Sequence, residues 1–117
     1  MSELFLHLFG TPRLTAGVDR RLRFPDRRSI ACLAVLAVDG PTARSRLATL
    51  LWDEQGDADA RRNLRRELHR MREAGLDGAF VADAETVALA PGVATDLEQF
   101  QAALAAGDAE RVIALHA

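Results

Sequence analysis

The amino-acid sequence predicts an α+β fold in which a small N-terminal antiparallel sheet precedes three helices, a β-hairpin and a helical extension. Three observations carry this. Residues 4–24 hold short apolar runs broken by turn residues, residues 27–75 hold three helical patterns in succession, and residues 80–89 hold two apolar runs around a polar turn. With 117 residues, 49% of them hydrophobic, the chain suffices for one domain, or for one domain and the start of another.

Leu4, Leu6 and Leu8 alternate with Phe5, His7 and Phe9, so the first strand is apolar on both faces and expects cover on both. Gly10-Thr11-Pro12 breaks it and Arg13-Leu14-Thr15 resumes. Ala16-Gly17-Val18-Asp19 supplies a turn before a third strand at Leu22-Arg23-Phe24. His7 reads as a packed residue of this sheet rather than a catalytic one. Asp26 is placed to cap a helix over 27–38, whose nine-residue apolar run 30–38 makes it a core helix. Cys32 sits in that run as a small buried hydrophobe. Gly40-Pro41 stops the helix. A second helix over 42–52, with Thr42 as its cap, carries Leu47, Ala48, Leu50 and Leu51 and ends on Trp52, expected as a core anchor. The acidic loop Asp53-Glu54-Gln55-Gly56-Asp57 comes next.

Residues 57–75 hold six of the chain's fifteen basic residues, all of them arginine. Ala60, Leu64, Leu68 and Met71 recur at the spacing of one helical face. At roughly 100° per residue these four lie within about 40° of Leu64, while Arg62, Arg66, His69 and Glu73 lie within about 40° of the opposite direction. Asn63, Arg65 and Arg70 fall on the shoulders. Asp57 and Asp59 suit the positive end of the helix dipole and Gly75 supplies the stop. One face can therefore dock while the other presents guanidinium groups outward. A merely solvated amphipathic helix fits the same residues, so the neighbours must decide. After this helix, Phe80-Val81 and Val87-Ala88-Leu89 flank Asp83-Ala84-Glu85-Thr86 as a hairpin, closed by Pro91-Gly92. Asp96 is placed to cap a helix over 97–105 with Leu97, Phe100 and Leu104 on one face, and a further helix is expected over 109–117.

The net charge of −2 conceals an asymmetry: residues 1–72 hold fourteen arginines against nine acids, a balance of +5, and residues 73–117 hold one arginine against eight acids, a balance of −7. A basic front and an acidic back suit a module that meets a polyanion on one side. There is no Ser-His-Asp spacing, phosphate-cradling glycine loop or metal-ligand cluster, and His7, His69 and His116 are scattered, so an enzyme is not expected, nor a cofactor or metal. No stretch is long and apolar enough to span a bilayer, and Met1-Ser2-Glu3 does not open a signal peptide; the expected location is the cytoplasm.

Three helices with the third followed by a two-stranded hairpin is the order of a winged helix-turn-helix, in which the third helix, here about 58–74, enters the major groove of double-stranded DNA. Arginine suits that position because it bonds guanine O6 and N7 bidentately. The chain further resembles the N-terminal region of the SARP family (Streptomyces antibiotic regulatory proteins) of bacterial transcriptional activators. Four stretches carry the resemblance: Leu8-Phe9-Gly10-Thr11-Pro12-Arg13-Leu14; Leu47-Ala48-Thr49-Leu50-Leu51-Trp52; Ala60-Arg61-Arg62-Asn63-Leu64-Arg65-Arg66-Glu67-Leu68-His69-Arg70-Met71-Arg72; and Asp96-Leu97-Glu98-Gln99-Phe100 with Gly107-Asp108 beyond. They span nearly the whole chain in the family's order. The resemblance implies an OmpR-type winged-helix DNA-binding domain over 1–91, preceded by its small sheet. Residues 92–117 would then start a helical-repeat unit, the bacterial transcriptional activator domain. It also implies transcription regulation, and binding of two copies side by side on tandem DNA repeats.

On this reading Arg62, Asn63, Arg65, Arg66, His69 and Arg70 contact DNA bases and backbone, the residues nearest the helix start reaching the base edges. Arg61 and Arg72 lie nearer the core edge, within reach of Asp57 or Glu73, and are left out of that set. Arg27, Arg28, Arg44 and Arg46, at the starts of the two preceding helices, are candidates for phosphate contact, with surface solubility as the plain alternative. The resemblance assigns contact with RNA polymerase to Asp53, Glu54, Gln55, Gly56 and Asp57, whose acidity suits a basic patch on a sigma factor; a solvated loop would look the same. The acidic tip Asp83-Ala84-Glu85 predicts a wing that grips phosphate weakly. A second function class fits the charge asymmetry too: a protein-interaction module that keeps a winged-helix scaffold and binds its partner through the acidic C-terminal helices.

Overall fold

A computed structural model of the chain describes residues 4–17 and 20–107. In chain order these form β1 (Leu4–His7), β2 (Arg13–Ala16), β3 (Arg20–Leu22), α1 (Arg27–Asp39), β4 (Thr42–Ala43), α2 (Arg44–Leu51), α3 (Asp57–Met71), β5 (Phe80–Ala82), β6 (Thr86–Leu89), β7 (Ala94–Thr95) and α4 (Asp96–Ala106). The architecture is α+β. No described helix is long and apolar enough to cross a membrane. The chain divides into two compact units, one drawn from the described parts of Met1–Leu22 and Gly92–Ala117, the other from Arg23–Pro91.

In the first unit the strands lie in the order β3-β2-β1-β7, antiparallel except for the parallel β1–β7 pair. Leu6 opposes Leu14, and Leu14 opposes Leu22 on its other side; Leu6 and Leu14 are fully buried. The third strand lies two residues earlier than expected, at Arg20–Leu22, because beyond Leu22 only Arg13 is left on β2 to pair with. The boundary expected between residues 91 and 92 would part the N-terminal strands from β7, yet β1 takes Ala94–Thr95 as its neighbour. Thr95 rather than Asp96 caps α4, its hydroxyl accepting from the Glu98 N–H at 3.0 Å. Asp96 turns back instead, accepting the N–H groups of Leu8 and Phe9 at 2.8–3.0 Å. Leu104, expected on the packed face of α4, is 56% exposed, and Ala103 is buried in its place. The expected helix over 109–117 lies outside the described residues.

The second unit starts where the sequence places it: the Asp26 carboxylate accepts the Ser29 N–H at 2.9 Å and caps α1. At the other end Gly40 takes φ 75° and its N–H bonds the Leu36 carbonyl. Cys32, Leu33 and Leu36 of α1 meet Leu47 and Ala48 of α2, Trp52, and the expected α3 stripe of Ala60, Leu64, Leu68 and Met71, all buried. Burying each such leucine is worth about 1.5–3 kcal/mol. The expected cap at Thr42 is not made. Thr42 and Ala43 form a short strand against β6, the Thr42 hydroxyl donates to the Gly40 carbonyl, and α2 begins only at Arg44. Two-residue strands carry no periodicity, which hid β4 and β7 from pattern reading.

After α3 a wide turn over Arg72–Leu76 is broken at Gly75, whose φ of 94° favours glycine. The expected hairpin is present as β5 and β6, with Phe80 opposite Leu89 and Ala82 opposite Val87. Its tip is tied by Asp83, whose carboxylate accepts the N–H groups of Glu85 and Thr86 at 2.8 and 2.7 Å. With β4 the hairpin becomes a three-stranded sheet in the order β4-β6-β5.

Candidate functional site

Docking α3 by its apolar stripe leaves Arg61, Arg62, Arg65, Arg66, His69 and Arg70 exposed along the rest of its surface. Their charges are not equally available. The side chains of Arg61, Arg65 and Arg66 make no ion pair or hydrogen bond among the described residues. Arg62 pairs with Asp59 one turn back at 3.2 Å, and both side chains are more than half exposed, so water and salt screen that pair. His69 pairs with Glu73 one turn ahead. Arg70 is bound most firmly, donating to Glu67 at 2.7 Å and lying 3.6 Å from Asp26. Asn63 is half-buried and donates to Gln55 of the acidic loop. Uncompensated positive charge therefore gathers on Arg61, Arg65 and Arg66, around the middle of the helix.

Helical spacing puts Arg61 at the core edge, within reach of Asp57 or Glu73; it pairs with neither. It lines an open groove of about 510 Å³ with Arg44, Arg62 and Arg65, floored by Ala58, Leu64 and Ala84 of the hairpin tip. It also lines a second groove of about 390 Å³ with Arg46, Leu50 and Asp57. Arg72 likewise pairs with neither acid. Its guanidinium lies 5.2 Å from the Phe80 ring centroid, and it borders a third groove with Arg65, Arg66, His69 and Arg70. At roughly 60° from Leu64 around the helix, Arg61 sits where a side chain can turn either way, and only the placement of α2 and the hairpin settles which.

The four candidate phosphate ligands part company. Arg27 is exposed and without a protein partner among the described residues. Arg28 lies 5.1 Å over the Trp52 ring and donates to the Leu51 carbonyl at 3.3 Å, so it covers the core anchor and closes the end of α2. Arg44 donates to the Asp83 carbonyl at 2.8 Å, while its own N–H bonds the Glu85 carbonyl. These two bonds brace Arg44 in place beside the groove, where its charge also acts on the Asp83 carboxylate. Arg46 lies 3.4 Å from Asp39. Asp53, Glu54, Gln55, Gly56 and Asp57 are all exposed.

Nothing in the sequence pattern marks Glu67, yet its side chain is fully buried. It stands about 60° from Leu64 on the side opposite Arg61. One carboxylate oxygen holds Arg70, and the other, Oε2, has no hydrogen-bond partner among the described residues. Burial, followed by a hydrogen bond with the Asp26 carboxyl, raises the Glu67 pKa. Burial works against the Asp26 carboxylate, but hydrogen bonds from Glu67 and from the Ser29 N–H outweigh it and lower its pKa. Two ionised carboxylates have no proton between them, so that shared bond exists only when Glu67 is protonated. The nearby Cys32 thiol is pushed up to about 12, chiefly by burial and further by Glu67, and stays an inert hydrophobe. No protein-family model matches this chain, and no curated protein is significantly similar to it.

Proposed function

We propose that the chain binds double-stranded DNA as the winged helix-turn-helix module of a bacterial transcriptional regulator, with α3 in the major groove and hairpin β5–β6 as its wing. The observation that carries this reading is the exposed arginine face of α3, where Arg61, Arg65 and Arg66 have no counter-charge among the described residues. An α-helix fits the major groove, and a guanidinium bonds a guanine edge bidentately. The succession α1, α2, α3, hairpin, with Arg44 joining α2 to the hairpin tip, supports the same reading.

The charge states sort the roles. Arg62, Arg65 and Arg66 are the base readers, and Arg61 and Arg44 face phosphates from the groove they line. The tip acids Asp83 and Glu85 limit the wing to a minor share. Asp53, Glu54 and Asp57, exposed on the loop before α3, suit a basic protein surface such as that of a sigma factor.

Selection of bound duplexes from a random-sequence pool tests the proposal. A recurring motif is expected, rich in guanine where arginine reads, and a direct repeat in it would indicate two copies side by side. If about 4–6 phosphates are held, log affinity should fall against log salt with a slope near −4 to −5. No motif from the pool, together with a flat salt response, would overturn it.

A further inference from the structure

The buried carboxyl of Glu67 lies on the inner side of the helix whose outer side carries the arginines. The ionisable groups that act on it are Asp26 at the cap of α1, Arg70 one turn along α3, and Cys32 of α1, whose thiol stays neutral. Of the other elements around α3, β6 carries no titratable residue, and the two arginines of α2 are turned to the Asp83 carbonyl and to Asp39. With Glu67 ionised, the cluster of Asp26, Glu67 and Arg70 carries two negative charges and one positive. With Glu67 protonated it is neutral, Oε2 no longer lacks a partner, and the Arg70 guanidinium exchanges a charged acceptor for a neutral one.

We propose that Glu67 is a positioning residue that sets how much of the Arg70 charge the α3 face presents to a polyanion, withholding it when ionised and releasing it on taking up a proton. Arg70 suits this role because its side chain is about half exposed while Glu67 is not exposed at all. One end of the pair can therefore meet a phosphate and the other cannot. DNA binding then draws a proton onto Glu67, and acidification strengthens binding. The ligand in this inference rests on the DNA-binding reading; the coupling of Glu67 to Arg70 does not.

The test compares the wild-type chain with Glu67→Gln, which keeps the shape and the hydrogen bonding of the protonated acid. Affinity for a mixed-sequence duplex is followed by fluorescence anisotropy from neutral to mildly acid pH. Wild-type affinity should rise as pH falls, whereas Glu67→Gln should hold its acid-limb affinity at neutral pH, up to about fivefold tighter, the scale of one exposed ion pair. Its salt slope at neutral pH should be steeper by about 0.9, so its advantage shrinks about 3.5-fold between ~50 and ~200 mM salt. Any pH response common to both proteins cancels in the comparison. In an Arg70→Ala background the Gln substitution should change nothing. Parallel pH profiles for wild type and Glu67→Gln would overturn the inference. If neither protein binds DNA, the DNA-binding reading fails instead. The coupling is then judged in the free protein by nuclear magnetic resonance, where exchange of the Arg70 Nη2–H with water should quicken as Glu67 takes its proton; no change sinks it.

Discussion

Arg70 of α3 donates to the fully buried Glu67 at 2.7 Å and lies 3.6 Å from Asp26, the residue that caps α1. The two carboxyls can share a hydrogen bond only when one of them carries a proton. Because the fold raises the Glu67 pKa, it holds that proton more tightly than the unfolded chain does. Stability from this group is present below the ordinary glutamate value and is lost as pH rises through the raised one. Asp26 runs the other way: its lowered pKa contributes stability above the ordinary aspartate value, lost as pH falls through the depressed one. Glu67→Gln removes the first dependence, and its amide can still donate to Asp26 and accept from Arg70. Its melting temperature should exceed that of the wild type by a margin that grows toward neutral pH, about 1–3 kcal/mol in stability for relieving a buried unsatisfied group. Thermal unfolding of both proteins at several pH values measures this; a margin independent of pH would contradict it.

Arg28 and Arg61 should fail differently. Removing Arg28 takes a guanidinium off the Trp52 ring and a donor from the Leu51 carbonyl, so Arg28→Ala should lower stability by about 0.5–2 kcal/mol. At temperatures where the protein stays folded, its DNA affinity should be little changed. Arg61→Ala touches no partner and should leave melting unchanged while reducing the magnitude of the salt slope of DNA binding by about 1, evenly across sequences. Arg66→Ala, by contrast, should relax sequence preference at one position. Melting curves beside anisotropy titrations separate the three.

Asp96 accepts three hydrogen bonds from two backbone N–H groups, those of Leu8 and Phe9. Alanine there leaves both donors without that partner where β1 ends. Asp96→Ala should cost about 1–3 kcal/mol, read by urea denaturation, and amide exchange at Leu8 and Phe9 should quicken first.

Gly75 holds a φ of 94° at the end of α3, and a methyl group placed there would meet nothing within 4 Å. Any cost of Gly75→Ala is therefore backbone strain rather than collision, about 1–2 kcal/mol. Gly56→Ala, also open around its Cβ position but with φ −66°, is the control and should cost less. Equal losses at both would remove the strain explanation.

Reading periodicity and turn chemistry along the chain was enough to place α1, α3 and the hairpin, because each has its own local signature: the Asp26 cap and Gly40 stop, the stripe Ala60, Leu64, Leu68, Met71, and the tip at Asp83. It missed β4 and β7, which are two residues long and exist only because a longer strand lies beside each. Helix spacing likewise told which arginines of α3 point outward. It could not tell which of them keep their charge, because a side chain's partners come from other elements and from its rotamer. Arg44 meets a carbonyl of the hairpin, Arg28 meets Trp52, Arg70 meets a buried acid, and Arg61 meets no partner among the described residues. The sequence alone thus determined an α+β chain with an outward arginine helix, since local hydrophobic period and capping are enough for that. Only the tertiary structure decided that Glu67 is buried rather than solvated and that the free charge lies on Arg61, Arg65 and Arg66 around the middle of α3. Both depend on how α1, α2 and the hairpin pack around one helix, and residues at about 60° from its apolar centre carry no local signal of which way they will turn.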